Sequence, residues 1–271
     1  MSTVTAPSPR TGTVAVPAAS PYRLSFARVV RSEWLKLVSL RSTWWSLAIA
    51  VVLSVGISLM MAAASRDFAP GFSPVVTIVM PMQFTMLVAG ILGAIAVTGE
   101  YSTGMIRSTF TAEPRRGVVL AAKSLVIAVV IALTTAVTYA IAIVATAPIL
   151  ATAIDWSQPA ESVIPLVNGV FAMATFALIG VGFGFLLRNG AGAIAATVGV
   201  LFVLTIVLSM FSIAGEGWAW LVDLGDYLPV SAAQAATAPD GENVVRGLLT
   251  LAAWPAVLLS CAWLTLRRRD A

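Results

Sequence analysis

Histidine is missing from the chain's 271 residues, and cysteine occurs once, as Cys261. The first absence removes the commonest metal ligand and the usual proton shuttle; the second excludes an intrachain disulfide framework. No G-x-x-x-x-G-K-S/T phosphate loop occurs, so the chain lacks the usual means of holding ATP. Gly190, Gly192 and Ala195 match the weaker G-x-G-x-x-A dinucleotide pattern, but that pattern needs a preceding strand and here follows an apolar stretch. Those glycines are expected to make a tight turn between two helices. No catalytic, metal or cofactor-binding site is therefore expected in this chain. Charge is scarce as well: 10% of the residues carry it, against about 25% in ordinary soluble domains.

Apolar residues fill the gap, at 59% of the chain, more than a soluble fold of this length can hide. Lipid is the solvent such a composition requires. A helix needs about 20 mostly apolar residues to cross a bilayer, and six uncharged stretches meet that need, at 44–64, 75–98, 124–147, 166–187, 193–214 and 248–266. The reading is an all-α integral membrane protein with six transmembrane helices, the last carrying Pro255 as a possible kink site. The small residues Ala62, Ala63, Ala64 and Ser65 resemble a signal cleavage site, but the run before them is too long and begins too late for a signal peptide.

Lysine and arginine are retained on the cytoplasmic side. On this threading fourteen of the sixteen fall on one side and only Arg66 and Arg246 on the other, which places both termini in the cytoplasm of a multi-pass plasma (inner) membrane protein. Asp67, Asp155, Glu161, Glu216, Asp223, Asp226, Asp240 and Glu242 all fall on the outer side. The basic residues form no single soluble patch, so nucleic acid is not an expected partner.

Residues 1–21 are rich in small residues and proline and read as a disordered tail. Over 22–43, Phe26, Ala27, Val30, Trp34, Leu37 and Val38 recur at helical spacing, opposite Arg28, Ser32, Lys36 and Ser39. This amphipathic helix is expected in the headgroup region, with Trp34 at the interface and its cations near anionic lipid, either as an orientation anchor or as a docking element for a cytoplasmic partner. The loop 99–118 is expected to hold a short helix from about Thr103 to Phe110, ended ahead of Pro114, with Glu100 and Arg107 able to pair as surface charges. The outer segment 215–246 opens with Trp218, Trp220, Leu221, Val222, Leu224, Tyr227 and Leu228, a density of aromatics that suits the membrane interface. A basic tail closes the chain at 267–271. Gly180, Gly182 and Gly184 fit close helix packing.

The interiors of the six stretches hold no ionisable residue, only groups such as Gln83, Thr85, Thr134, Thr135, Thr138, Tyr139, Asn168, Thr175, Thr197 and Thr205. Ion-coupled transport and intramembrane hydrolysis both need charged or nucleophilic groups at depth. Their absence favours an amphipathic or lipid-like cargo, or no cargo at all.

The runs SEWLKLVSLRSTWW (Ser32 to Trp45), TGEYSTGMIRSTFTAEPRR (Thr98 to Arg116), YLPVSAAQA (Tyr227 to Ala235) and the closing RRRDA resemble the ABC-2 type permeases, most specifically in GEYSTGMIRST. The resemblance covers about residues 22–271. It implies a permease subunit that dimerises, as a homodimer or a permease heterodimer, and is powered by a separate ABC ATPase subunit that binds ATP and Mg. It also implies that 22–43, with Glu33, Trp34 and Lys36, is a connecting helix. Glu100, Tyr101, Thr103, Gly104, Met105, Ile106 and Arg107 would belong to a coupling helix touching the ATPase, and the outer segment would form short re-entrant or interfacial helices. The implied function is export of a hydrophobic or amphiphilic compound, such as an antibiotic, peptide or lipid; the residues lining its path stay unassigned. The competing reading is a non-transporting membrane sensor or scaffold with a cytoplasmic partner.

Overall fold

The computed structural model of the protein describes residues 25–68, 73–213, 216–239, 241 and 243–268. The expected tail at 1–21, the start of the amphipathic segment and the last three residues of the basic tail lie outside them. Among the described residues every regular element is helical. Six helical stretches are long and apolar enough to cross a membrane: Arg41–Arg66, Pro74–Ser102, Arg116–Thr146, Val163–Leu187, Gly190–Ile213 and Val244–Arg268. Each overlaps one of the six stretches read from the sequence.

The chain enters through α1 (Phe26–Ser39), whose buried face carries Val29 and Glu33. Leu40 is extended and breaks the helix before α2 (Arg41–Phe68), the first span. The second span is two helices, α3 (Pro74–Val79) and α4 (Met82–Ser102), interrupted at Pro81, which has no N–H to continue a ladder. After α5 (Met105–Ala112) comes α6 (Arg116–Thr146), the third span. It begins at Arg116, a full two turns ahead of the apolar stretch, because the residues Arg116 to Lys123 continue the helix although both ends of that segment are charged. At 1.5 Å per residue its 31 residues span about 46 Å, well beyond the roughly 30 Å of a hydrocarbon core. The charged end therefore projects.

The fourth span is α7 (Val163–Leu187). Arg188 takes a left-handed conformation, φ 54°, and Asn189 caps the next helix by accepting from the Gly192 N–H at 2.9 Å. The turn expected from Gly190 and Gly192 is thus made by Arg188 and Asn189, and the glycines form the first turn of α8 (Gly190–Val198). A π-helical turn at Gly199–Val203 and α9 (Leu204–Met210) complete the fifth span. On the far side α10 (Ala219–Gly225) presents Trp220 and Leu224 outward, next to exposed Trp218 and Tyr227. By contrast α11 (Pro229–Thr237) is buried between α7 and α12 (Val244–Arg268), where Asn168 donates to the Ala236 carbonyl at 2.6 Å. Of the described residues in this segment, the first half is therefore largely exposed and the second half packed. Helix α12, the sixth span, continues through Pro255.

Lipid gives apolar helices no hydrophobic reason to associate, so close backbone approach has to hold them. Helices α4 and α7 form that centre: over half of each is buried, against about a fifth of the first, fifth and sixth spans. A methyl group on Gly180 would overlap the Gly90 carbonyl oxygen, and one on Gly93 would overlap that of Ala177. Hydroxyls at depth turn back on their own helices: Thr98, Thr135, Thr138, Thr146 and Thr197 each donate to the carbonyl four residues earlier.

Candidate functional site

Helices α1, α4, α5 and α6 converge at the end of the molecule that collects the cations. Glu33 and Lys36, one turn apart on α1, face the same way. Glu100 comes from the last turn of α4, Lys123 from two turns inside α6, and Thr109 from α5. The Lys123 ammonium donates to Glu33 Oε2 at 2.5 Å, to Glu100 Oε1 at 2.7 Å and to the Ala96 carbonyl at 3.3 Å. The Lys36 ammonium donates to Glu33 Oε1 at 2.7 Å, to Glu100 Oε1 at 3.0 Å and to Thr109 Oγ1 at 3.3 Å. Thr109 in turn donates to Glu100 Oε2 at 3.4 Å. Each ammonium touches both carboxylates, so the ring alternates in charge and sums to zero.

Only Lys36 is open to solvent to any extent, with 27% of its side chain exposed against 3–5% for the other three. Charges taken out of water are tolerated when opposite charges and hydrogen bonds meet them, and costly when one partner is removed. Burial pulls the Lys36 pKa down, but the bonds and charges of Glu33 and Glu100 outweigh it and hold the ammonium above the ordinary lysine value.

Helix α5 is placed by Gly104, whose φ of 72° is a left-handed conformation that costs glycine nothing. It begins at Met105 and turns Ile106, Thr109 and Phe110 inward, while Met105, Arg107 and Ser108 face out. Arg107 therefore does not pair with Glu100, as its loop position had suggested: it lies on the opposite face, and Glu100 points to the lysines. Tyr101 is half-buried, with the Arg188 guanidinium 5.5 Å from its ring centre, which ties the end of α4 to the turn between the fourth and fifth spans. Thr103 is exposed and donates to the Gly99 carbonyl at 2.8 Å. Trp34 is 40% exposed on the flank of α1, away from the ring.

Two more links close this end. Arg116 donates to the Leu266 carbonyl at 2.8 Å and stands 5.4 Å from the Phe110 ring centre, joining α5 and α6 to the end of α12. Beside them Glu113 accepts from Arg115 Nε at 2.8 Å, from Nη2 at 2.9 Å and from its backbone N–H at 3.1 Å. The Arg115 guanidinium and backbone bonds hold the Glu113 carboxyl below the usual carboxylate range.

No protein-family model matches the chain, and no curated protein does either. The four charged groups of the ring are taken up by one another, and the Lys36 side chain also borders an open groove with Ser32, Leu35 and Ser39. The ring fastens α1 and α5 to the ends of two helices long and apolar enough to cross a membrane.

Glu33, Lys36 and Glu100 had been singled out from the sequence, and Thr109 lies within the short helix expected there; Lys123, Glu113 and Arg188 had not been singled out. A signal was present. Lys36 and Lys123 are the only lysines among sixteen cations, and of the twelve acids only Glu33, Glu100, Glu113 and Asp270 fall among the cations of the basic side. The three of those that are described are all buried, 4% exposed each, and all paired.

Proposed function

We propose that the chain is the membrane permease subunit of an ATP-driven exporter of the ABC-2 type, with both termini in the cytoplasm of the plasma membrane and its energy supplied by a separate ATPase. The observation that carries this reading is the buried ring of Glu33, Lys36, Glu100 and Lys123, which makes α1 and α5 into one unit with α4 and α6. The outward face of α5, with Met105, Arg107 and Ser108, stays open at that same end. A partner that pushes on this face moves α4 directly, and α7 with it through the glycine contact. The excess of cations at that end supports a cytoplasmic location, and the resemblance of Thr98 to Arg116 to the permease coupling region supports an ATPase as the partner. Two such subunits, identical or different, would frame a path for a hydrophobic or amphiphilic compound and alternate between inward- and outward-facing arrangements.

Affinity purification of the full chain from its native membrane tests the proposal. A co-purifying ATPase whose turnover rises in the complex supports it, and Arg107→Glu is expected to weaken that association without changing the thermal stability of the chain alone. Recovery of a regulator with no ATPase would instead favour a membrane sensor, and an unaltered complex with Arg107→Glu would remove α5 from the contact.

A further inference from the structure

On the flank of α1 away from the ring lies a groove of about 400 Å³ between α1, α2 and α6, within the roughly 300–1,000 Å³ typical of small-molecule sites. Its walls are nearly all apolar, among them Trp34 and Val38 of α1, Trp44 and Val51 of α2, and Leu133 and Val137 of α6. Trp44 Nε1 donates to the Val38 carbonyl at 2.8 Å, which pins the wall across the break at Leu40 and leaves the indole face apolar. From Trp44 to Val51 the groove follows α2 for about 10 Å into the span. The buried Leu47 closes its floor.

Charge marks one end only. Arg31 stands one turn before Trp34 on α1, and Arg41 one turn before Trp44 on α2, so helical spacing sets both on the flanks of the groove at its basic end. Both are exposed, and no carboxylate among the described residues pairs with either. A slot that is apolar along its length, open on the outer wall of two membrane spans and cationic only at the interface matches one kind of molecule: an amphiphile with a long tail and an anionic head. We propose that it holds one acyl chain of an anionic phospholipid from the leaflet at the basic end, with the phosphate between Arg31 and Arg41. The occupant braces α1 against α2 and α6, so it steadies the helix that closes the ionic ring. The inference rests on the six membrane-spanning helices and not on the exporter reading.

The test uses the full chain, without any ATPase, in nanodiscs of phosphatidylcholine with and without phosphatidylglycerol of the same acyl chains. Lipid retained after transfer to detergent is counted by native mass spectrometry. Phosphatidylglycerol is expected to be retained roughly tenfold over phosphatidylcholine, as two interfacial arginines allow, and Arg31→Gln with Arg41→Gln to bring the ratio close to parity. A second measurement needs no charge change: phosphatidylglycerol brominated on its acyl chain should quench tryptophan emission in the parent more than in the Trp34→Phe, Trp44→Phe variant. Equal retention of the two lipids, an unchanged preference in the arginine variant, or equal quenching in both proteins overturns the proposal. So does a retained amphiphile of another kind that phosphatidylglycerol does not displace, which would make the groove a cargo site.

Discussion

Along α4, the middle and the end are held by different chemistry. In the middle, Gly90 and Gly93 lie so close to Gly180 and Ala177 of α7 that backbone meets backbone with no room for a methyl group. At the end, Glu100 is held by two ammonium groups from two other helices, and Thr109 of a third bonds both Glu100 and Lys36. The first contact has no slack and nothing to exchange: any displacement of α4 has to carry α7. The second has redundancy, since each carboxylate keeps a cation if one bond opens, and Lys36 reaches solvent. A rigid centre and an exchangeable joint on one helix are what a device needs if it is to be moved from outside without coming apart.

The sharpest way to break the comparison is to put bulk into the centre. Gly180→Leu or Gly93→Leu forces a side chain into opposing backbone, which has no flexible end to swing away, so the cost lies at or above the upper end of the roughly 1–3 kcal/mol seen for overpacked cores. Loss of the monodisperse peak in fluorescence-detected size exclusion is expected for both. Gly56→Leu on α2, where nothing lies within 4 Å, is expected to leave the peak unchanged. Equal damage at all three positions would mean that helix propensity, not close approach, governs these sites.

Next in size is the joint. Lys123→Met leaves Glu33 and Glu100, both buried, with Lys36 alone, and breaking a buried pair in this way costs about 3–5 kcal/mol. The loss is read as a lower Tm in detergent. Adding Glu33→Gln removes the stranded charge and leaves the neutral pair of Lys36 with Glu100, at 3.0 Å, so part of the Tm should return. If the two losses simply add, the four groups do not act as a ring.

The six helices long and apolar enough to cross a membrane were legible because lipid demands long uncharged runs, and six such runs stand out from the charged loops. Their ends were not legible: at α6 the helix outruns its apolar stretch by the two turns that end at Lys123, and hydropathy is blind to a helix that continues past its apolar run. Glu33, Lys36 and Glu100 stood out as charges in short motifs, yet the expected partner of Glu100 was its near neighbour Arg107. Sequence distance favours such local pairs, whereas the real contacts to Lys36 and Lys123 span 64 and 23 residues. The centre was half visible: Gly180 and Gly184 signalled a close approach, but only packing shows that Gly90, Ala94 and Val97 receive it.

A smaller effect separates the joint's solvent-facing cation from its buried one. The ring holds Lys36 above its ordinary pKa of 10.5, so the stability it contributes is fully present below that pH and is lost only as pH rises through the raised value. The Tm difference between the parent and Lys36→Met is therefore expected to be flat from neutral pH to about the ordinary lysine value and to shrink only beyond it. A difference that closes between pH 7 and 9 would show that Lys36 is not held by the carboxylates.

The smallest expected effect is at Glu113 and Arg115, which resemble the ring in chemistry but not in setting. Glu113 is buried, yet its partner has 60% of its side chain in solvent, and both lie in the single short turn around Pro114. Solvent screens such a pair, which joins two residues of one turn rather than two helices. Arg115→Ala should lower the Tm by clearly less than Lys123→Met. The sign with pH is opposite to that of Lys36: a lowered carboxyl pKa contributes stability above its ordinary value of 4.5 and loses it as pH falls through the lowered one. The gap between the parent and Arg115→Ala is thus expected to close as pH falls, whereas alkaline pH leaves it unchanged over the range in which the Lys36→Met gap shrinks. A matching loss from Arg115→Ala and Lys123→Met would show that local turn pairs carry as much of this end as the ring that joins α1, α4, α5 and α6.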